Sequence, residues 1–170
     1  ALALVYQSGE LQRAYTRTGR DVTRYALEVP DIPLSVPRYG KFTVRGELYA
    51  FNEHAPKSQR IAAAQLRRIQ PDCHLLSFVA FQILNSQNDH KDNLKELTKL
   101  DFRVVPYVEA NSYDEIKKCH NDWLDGRFFE SNYFTFLPTD GIVVKINSRS
   151  IQKQLGQSTR CPLWAVALKG

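Results

Sequence analysis

Residues 140–147 read DGIVVKIN, and residues 161–170 read CPLWAVALKG. Each is an apolar, strand-forming run that carries one lysine, Lys145 in the first and Lys169 in the second. Gly141 to Ile146 and Leu163 to Leu168 are therefore expected as strands, with a short helix from Arg149 to Leu155, ended by Gly156, between them. A related stretch, VRGEL, lies upstream within Lys41 to Ala50, where Phe42, Val44 and Leu48 are apolar and Arg45 and Glu47 are not. Gly46 interrupts that strand, as glycine often does where a ligand nears the backbone. One polar residue in a strand is ordinary on the solvent face of a sheet edge. Three separate strands that each carry polar residues point to a shared site, because buried lysine is costly unless paired. A polyphosphate would pair the lysines, and Glu47 would accept hydrogen bonds from a ribose or stand as a countercharge. Asp140-Gly141 is turn chemistry. The alternative to a plain turn is a carboxylate at the mouth of the sheet, close to phosphates and able to hold a divalent ion, and the pattern alone fits both.

Outward from these stretches the chain alternates strands and helices irregularly. Leu2 to Tyr6 and Leu11 to Tyr15 read as two strands joined at Gln7-Ser8-Gly9-Glu10, a hairpin signal. Pro30, Pro33 and Pro37 mark an extended connection. Ser58 to Ile69 is expected as a helix ended by Pro71, and Leu75 to Leu84 as a buried strand. His90 to Leu100 carries Leu94, Leu97 and Leu100 on one helical stripe. Phe102 to Val108 is expected as a short strand. Ser112 with Glu115 forms a capping box that opens a helix bearing Ile116, Cys119, Trp123 and Leu124, stopped near Gly126. Most strand links are hairpins or long excursions, which favours an α+β fold of mainly antiparallel sheets with flanking helices over a doubly wound parallel sheet.

The length of 170 residues suits a single domain spanning 1–170, and 43% hydrophobic residues are enough to bury a core. No run approaches the roughly 20 apolar residues of a membrane helix, and no signal peptide is visible. A net charge of +5 suits a phosphate-rich partner, although a solvated surface gives the same balance. Cys73, Cys119 and Cys161 are odd in number and far apart, which argues against a zinc ribbon or a disulfide framework and for a reducing, cytoplasmic setting. His54, His74, His90 and His120 have no metal-site spacing, and the residues that would bind a metal are not identifiable. Gly-x-x-x-x-Gly-Lys-Ser/Thr, Gly-x-Gly-x-x-Gly and Gly-x-Ser-x-Gly are all missing, which disfavours a P-loop ATPase, a Rossmann dehydrogenase and a nucleophile-elbow hydrolase. Arg60 and Arg67, seven apart, are expected on one face of the Ser58 helix. That face is either a solvated cationic surface or a phosphate contact.

In order, VRGEL, LPTDGIVVKIN and CPLWAVALKG resemble motifs III, IV and V of the covalent nucleotidyltransferases. The details are closest to the NAD-dependent DNA ligases. LALVYQSGELQRAYTR, GRDVT, Ile32-Pro33-Leu34, IAAAQLRRIQP and the approach IQKQLGQSTR to the last motif are also similar to that family, so the resemblance covers essentially the whole chain. It implies a DNA ligase/mRNA capping enzyme nucleotidyltransferase-like fold, the adenylation core of an enzyme that uses NAD with Mg2+ and seals nicked double-stranded DNA. The enzyme is expected to be a monomer with no membrane association. The family's nucleophile is the lysine of a Lys-x-Asp-Gly motif, which the match places just before Ala1. The 170 residues by themselves are therefore expected to bind nucleotide without forming the covalent intermediate.

Residue by residue, the resemblance gives Arg17 a nucleotide contact, Glu47 the adenosine contact of motif III, and Phe81 the position that stacks on adenine. It gives Asp140 and Lys145 the motif IV roles and Lys169 the motif V role, with both lysines on the AMP phosphate. Arg60 and Arg67 become nick or phosphate contacts. The chain departs from the family in its short Thr18-Gly19-Arg20-Asp21 loop, in Ile61 and Gln65 flanking the Ala run, in one residue fewer between Arg60 and Arg67, and in Phe81-Gln82 where the family has Tyr-Gly. An ATP-dependent DNA or RNA ligase, or a ligase-like module that binds nucleotide or DNA without chemistry, are the alternatives.

Overall fold

The computed structural model describes residues 1–50, 58–129 and 139–170. The chain forms two compact units, Ala1–Val105 and Pro106–Gly170. Both are built on antiparallel sheets with flanking helices, the expected α+β class.

In unit 1, strands β1 (Leu2–Gln7), β2 (Glu10–Thr16), β3 (Lys41–Ala50) and β4 (Leu76–Ile83) form one sheet in the order β2-β1-β3-β4. The β1–β2 turn has positive φ at both Ser8 (51°) and Gly9 (81°), the primed geometry that matches strand twist. Alternation sorts the two faces. Leu2, Leu4 and Tyr6 of β1, Phe42, Val44 and Leu48 of β3, and Phe78 and Ala80 of β4 are buried in one core cluster. Helix α3 (His90–Lys99) adds Leu94 and Leu97, with Leu100 at its C-cap. Tyr6 stacks on Phe42 with centroids 5.2 Å apart and meets Phe102 edge-on at 5.8 Å. Its hydroxyl donates to the Pro33 carbonyl at 2.6 Å, so the connection read from its prolines is tied to the core. Burial pushes the Tyr6 phenol far above its ordinary pKa.

Three local expectations in unit 1 are corrected. Helix α2 covers Ser58–Gln65, not Ser58 to Ile69. The chain then tightens to i→i−3 bonds, Arg67 N–H to Ala64 and Arg68 N–H to Gln65. Arginine and tyrosine side chains hold the carbonyls of Leu66 and Arg68 from outside, so the helix ends before Pro71. Phe102 to Val108 is not a strand. It makes one parallel bridge, Val104 to Ala80, and Pro106 has no N–H with which to extend it. Gly46 does not open the backbone to a ligand: a Cβ there would overlap the Val79 carbonyl and the Phe78 ring. Two elements escaped the pattern, the single-turn helix α1 (Thr23–Ala26) and the 3-10 turn Cys73–Leu75, both too short to show a period.

Unit 2 holds helix α4 (Tyr113–Leu124), strand β5 (Gly141–Lys145), helix α5 (Arg149–Leu155) and strand β6 (Ala165–Lys169), with β5 and β6 paired antiparallel. The Ser112 hydroxyl caps α4 by accepting from Glu115 N–H at 3.2 Å, while the Glu115 carboxylate turns to Asn111 N–H at 2.6 Å instead of closing the box on Ser112. Ser148 caps α5, and Gly156 ends it with φ +70°. Strand β6 starts at Ala165 rather than Leu163, because Leu163 N–H bonds the Gly156 carbonyl. Trp164 is the buried apolar side chain of this unit among the described residues. No described helix is long and apolar enough to cross a membrane.

Candidate functional site

The polar residues of unit 1 lie on the second, half-buried face of its sheet. Along β3 the even positions from Phe42 to Leu48 are buried, which leaves Arg45 and Glu47 on the opposite face. Glu47 is one-third exposed. Leu2 pairs with Gly46, so the start of β1 runs beside Glu47. Phe81 is where β4 departs from regular pairing. Gln82 faces Arg45 and Ala80 faces Gly46, so Phe81 is the extra residue of a bulge. Bulges re-aim side chains and recur beside functional sites. The Arg45 guanidinium lies over the Phe81 ring, 6.0 Å from its centroid. Arg17 is exposed in the turn after β2, which Gly19 N–H closes on the Thr16 carbonyl at 2.9 Å.

The polar residues of unit 2 lie on the β5–β6 ribbon. Gly141 pairs with Lys169, Val143 with Ala167, and Lys145 with Ala165. Cross-strand partners share a face, so both lysines project from the same side, separated along the ladder by roughly 13 Å. Between them lie Val143 and Ala167, both exposed, a low strip that leaves the ribbon surface accessible. Lys169 Nζ donates to Asp140 Oδ2 at 2.8 Å. That hydrogen bond and the ammonium charge hold the Asp140 carboxyl below the usual carboxylate range and raise Lys169 above an ordinary lysine. Lys169 is exposed rather than buried, with 63% of its side chain accessible, so water screens the pair. Its charge is thus available to a ligand without a desolvation cost already incurred.

Two residues near this pair were not singled out from sequence. On α4, Trp123 Nε1 donates to Thr139 Oγ1 at 2.9 Å, and the His120 imidazole lies 3.2 Å from the Lys169 carbonyl. One helical turn therefore ties both flanks of the Asp140–Lys169 pair. The two rings are stacked, with centroids 6.0 Å apart. Their i, i+3 spacing was the available signal, but it carries no information about which strand the rings meet.

Arg60 and Arg67 do not share a helical face. Arg60 is exposed on α2, and Arg67 lies beyond the helix end, on the wall of a groove of about 660 Å³. No group of three His, Cys, Asp or Glu side chains among the described residues is placed to hold a metal. Asp140, the carboxylate singled out for a divalent ion, is already engaged by Lys169. Leu137 and Pro138 of the LPTDGIVVKIN stretch lie outside the described residues. The three cysteines are free thiols.

A family model described as the NAD-dependent DNA ligase adenylation domain matches residues 1–170. Among curated proteins, the DNA ligase of Halothermothrix orenii is 30% identical over 192 residues, covering 98% of this chain and 28% of the ligase. The DNA ligase of Halalkalibacterium halodurans is 30% identical over 198 residues, covering 99% of this chain and 29% of the ligase. The DNA ligase of Wigglesworthia glossinidia brevipalpis is 33% identical over 205 residues, covering 99% and 33%. The chain thus spans about three-tenths of the length of these relatives.

Proposed function

The chain belongs to the NAD-dependent DNA ligase adenylation domain family, and from that premise we propose that it is the adenylating part of an enzyme that seals nicks in duplex DNA. A lysine of a Lys-x-Asp-Gly motif, which the 170 residues do not contain, attacks the α-phosphorus of NAD. Its amine loses a proton, the bond to nicotinamide mononucleotide breaks, and AMP remains on the lysine nitrogen. AMP then passes to the 5′-phosphate at a nick, and the 3′-hydroxyl displaces it as the strand closes. In this reading residues 1–170 act as one nucleotide-binding domain.

The observation that carries this reading is the β5–β6 ribbon, with Lys145 and Lys169 on one face and Asp140 fixing Lys169 at 2.8 Å. Two cations along an accessible strip suit a phosphate whose charge grows during transfer. In this reading Asp140 orients Lys169 until phosphate takes its place, and Glu47 receives the adenosine. Phe81, re-aimed by its bulge, offers a ring to adenine, with Arg45 as the group it must exchange for the base. Arg17 contacts the nucleotide, and Arg60 and Arg67 contact DNA phosphates. The β1–β3 register supports the nucleophile's placement, since chain preceding Ala1 would continue alongside Glu47. The described residues do not build a protein cage for the expected Mg2+, so no side chain is given to it. The protein works as a monomer in the cytoplasm, without membrane association.

The test is intact mass spectrometry of the full-length protein after incubation with NAD or with ATP. An AMP adduct with NAD and none with ATP is the expected result. An adduct formed only with ATP, or with neither, overturns the proposal.

A further inference from the structure

We infer that the groove walled by Arg20, Arg24 and Arg67 on unit 1 grips the phosphodiester backbone of duplex DNA, an assignment that rests on the ligase reading above. The groove holds about 660 Å³ and is lined in part by Leu27 and Leu66, with Asp21 its lining carboxylate. Asp21 is already occupied. It accepts from the Thr23 hydroxyl at 2.6 Å and the Thr23 N–H at 2.9 Å, and Arg13 stands 3.8 Å away. None of the three lining arginines has an ion-pair partner among the described residues. The groove therefore presents an uncompensated positive wall, the electrostatic footprint of a polyanion site.

Arg20 and Arg24 are held in place rather than free to sweep. Arg20 donates to the Leu66 carbonyl, and Arg24 donates to the Tyr25 hydroxyl at 2.7 Å and to the Arg68 carbonyl at 3.4 Å. These carbonyls lie just beyond the end of α2 at Gln65. The two anchors are two residues apart, so the guanidinium attachment points lie within roughly 7 Å of each other. Each guanidinium carries five N–H groups, and these bonds use only part of the fork. Ordering the side chains in advance lowers the entropic cost of binding phosphate.

The groove's chemistry selects the kind of nucleic acid. Its aromatic residue, Tyr25, is buried, its hydroxyl bonds the Arg68 carbonyl at 3.0 Å, and Arg24 covers its ring 4.5 Å from the centroid. No open aromatic face remains for an unpaired base, and stacking platforms are what single-strand sites use. Charge without stacking and without base-reading amides fits the outside of a duplex, where contacts to phosphate set position rather than sequence.

The experiment measures binding of a nicked duplex to full-length protein by fluorescence anisotropy between 50 and 200 mM salt. It compares wild type with the double variants R20Q/R24Q and R20K/R24K. R20Q/R24Q should bind about tenfold more weakly, and its plot of log K against log salt should be shallower by about two. R20K/R24K, which keeps both charges, should retain the wild-type slope. A wild-type slope and affinity in R20Q/R24Q overturns the assignment. So does an equal loss of slope in both variants, which would trace the effect to structure rather than charge. Wild-type adduct formation from NAD is read in parallel: its failure sinks the ligase reading, whereas normal adduct with an unaffected R20Q/R24Q sinks the groove alone.

Discussion

Unit 1 carries its polar side chains on a sheet whose other face is packed into a continuous core. Arg45 and Glu47 alternate with Val44, Gly46 and Leu48, which are all buried. Unit 2 has Trp164 as its buried apolar side chain among the described residues, and its sheet is a two-stranded ribbon. Such a ribbon is marginal by itself. It is braced instead by directed polar contacts. Gln152 Nε2 donates to the Ile146 carbonyl at 2.6 Å, Trp123 reaches Thr139, and His120 reaches the Lys169 carbonyl. Position is set by packing in one unit and by hydrogen bonds in the other. The first arrangement resists displacement. The second leaves Lys169 exposed beside its carboxylate, so the proposed exchange of that carboxylate for a phosphate costs little desolvation.

The largest expected effect is on chemistry in unit 2. In full-length protein, Lys169→Ala and Lys145→Ala should each slow AMP-adduct formation from NAD by about 10²–10³-fold while leaving the thermal midpoint near wild type, because both side chains project from an open face. Unchanged adduct rates would remove them from the site. An intermediate effect separates the two glycines that carry the sheets. Gly46→Ala, wedged against Phe78 and the Val79 carbonyl, should cost about 1–3 kcal/mol in denaturant unfolding. Gly141→Ala would press its methyl on the Leu168 carbonyl. It should depress adduct formation with a smaller loss of stability. Equal stability losses in the two variants would break the contrast between the units.

The smallest effect is pH dependence at the Asp140–Lys169 pair. Its folded carboxyl titrates below the ordinary carboxylate value. The pairing is therefore complete above that ordinary value and is lost as pH falls through the lower, folded one. The initial adduct rate of the wild type should fall along an acid limb in that window, and Asp140→Asn should lack that limb. An identical acid limb in Asp140→Asn would show that another group titrates there.

Much of this was legible because the residues that set strands are local. Lys41–Ala50 follows from its alternation, and the Ser8-Gly9 turn follows from its glycine. Lys145 and Lys169 stood out because a charged residue breaks an apolar run. What sequence did not show are the effects of distant partners. The end of α2 at Gln65 depends on side chains more than forty residues upstream, Arg20 and Tyr25, which hold the carbonyls beyond it. The segment after Phe102 is rich in β-formers, yet Pro106 and one bridge to Ala80 leave it without a ladder. Gly46 suggested a ligand when its space is taken by a phenyl ring. Asp140 and Lys169 were each identified, but no spacing rule predicts that residues 29 apart share a hydrogen bond.

Trp123 sits at that junction, its indole N–H on Thr139 and its ring packed against Gly170, one residue from each member of the Asp140–Lys169 pair. The chain's other tryptophan, Trp164, is buried. With Trp164 replaced by phenylalanine, the remaining indole of this chain becomes an intrinsic optical reporter. Its emission would report in real time on the proposed exchange of carboxylate for phosphate, with no dye attached.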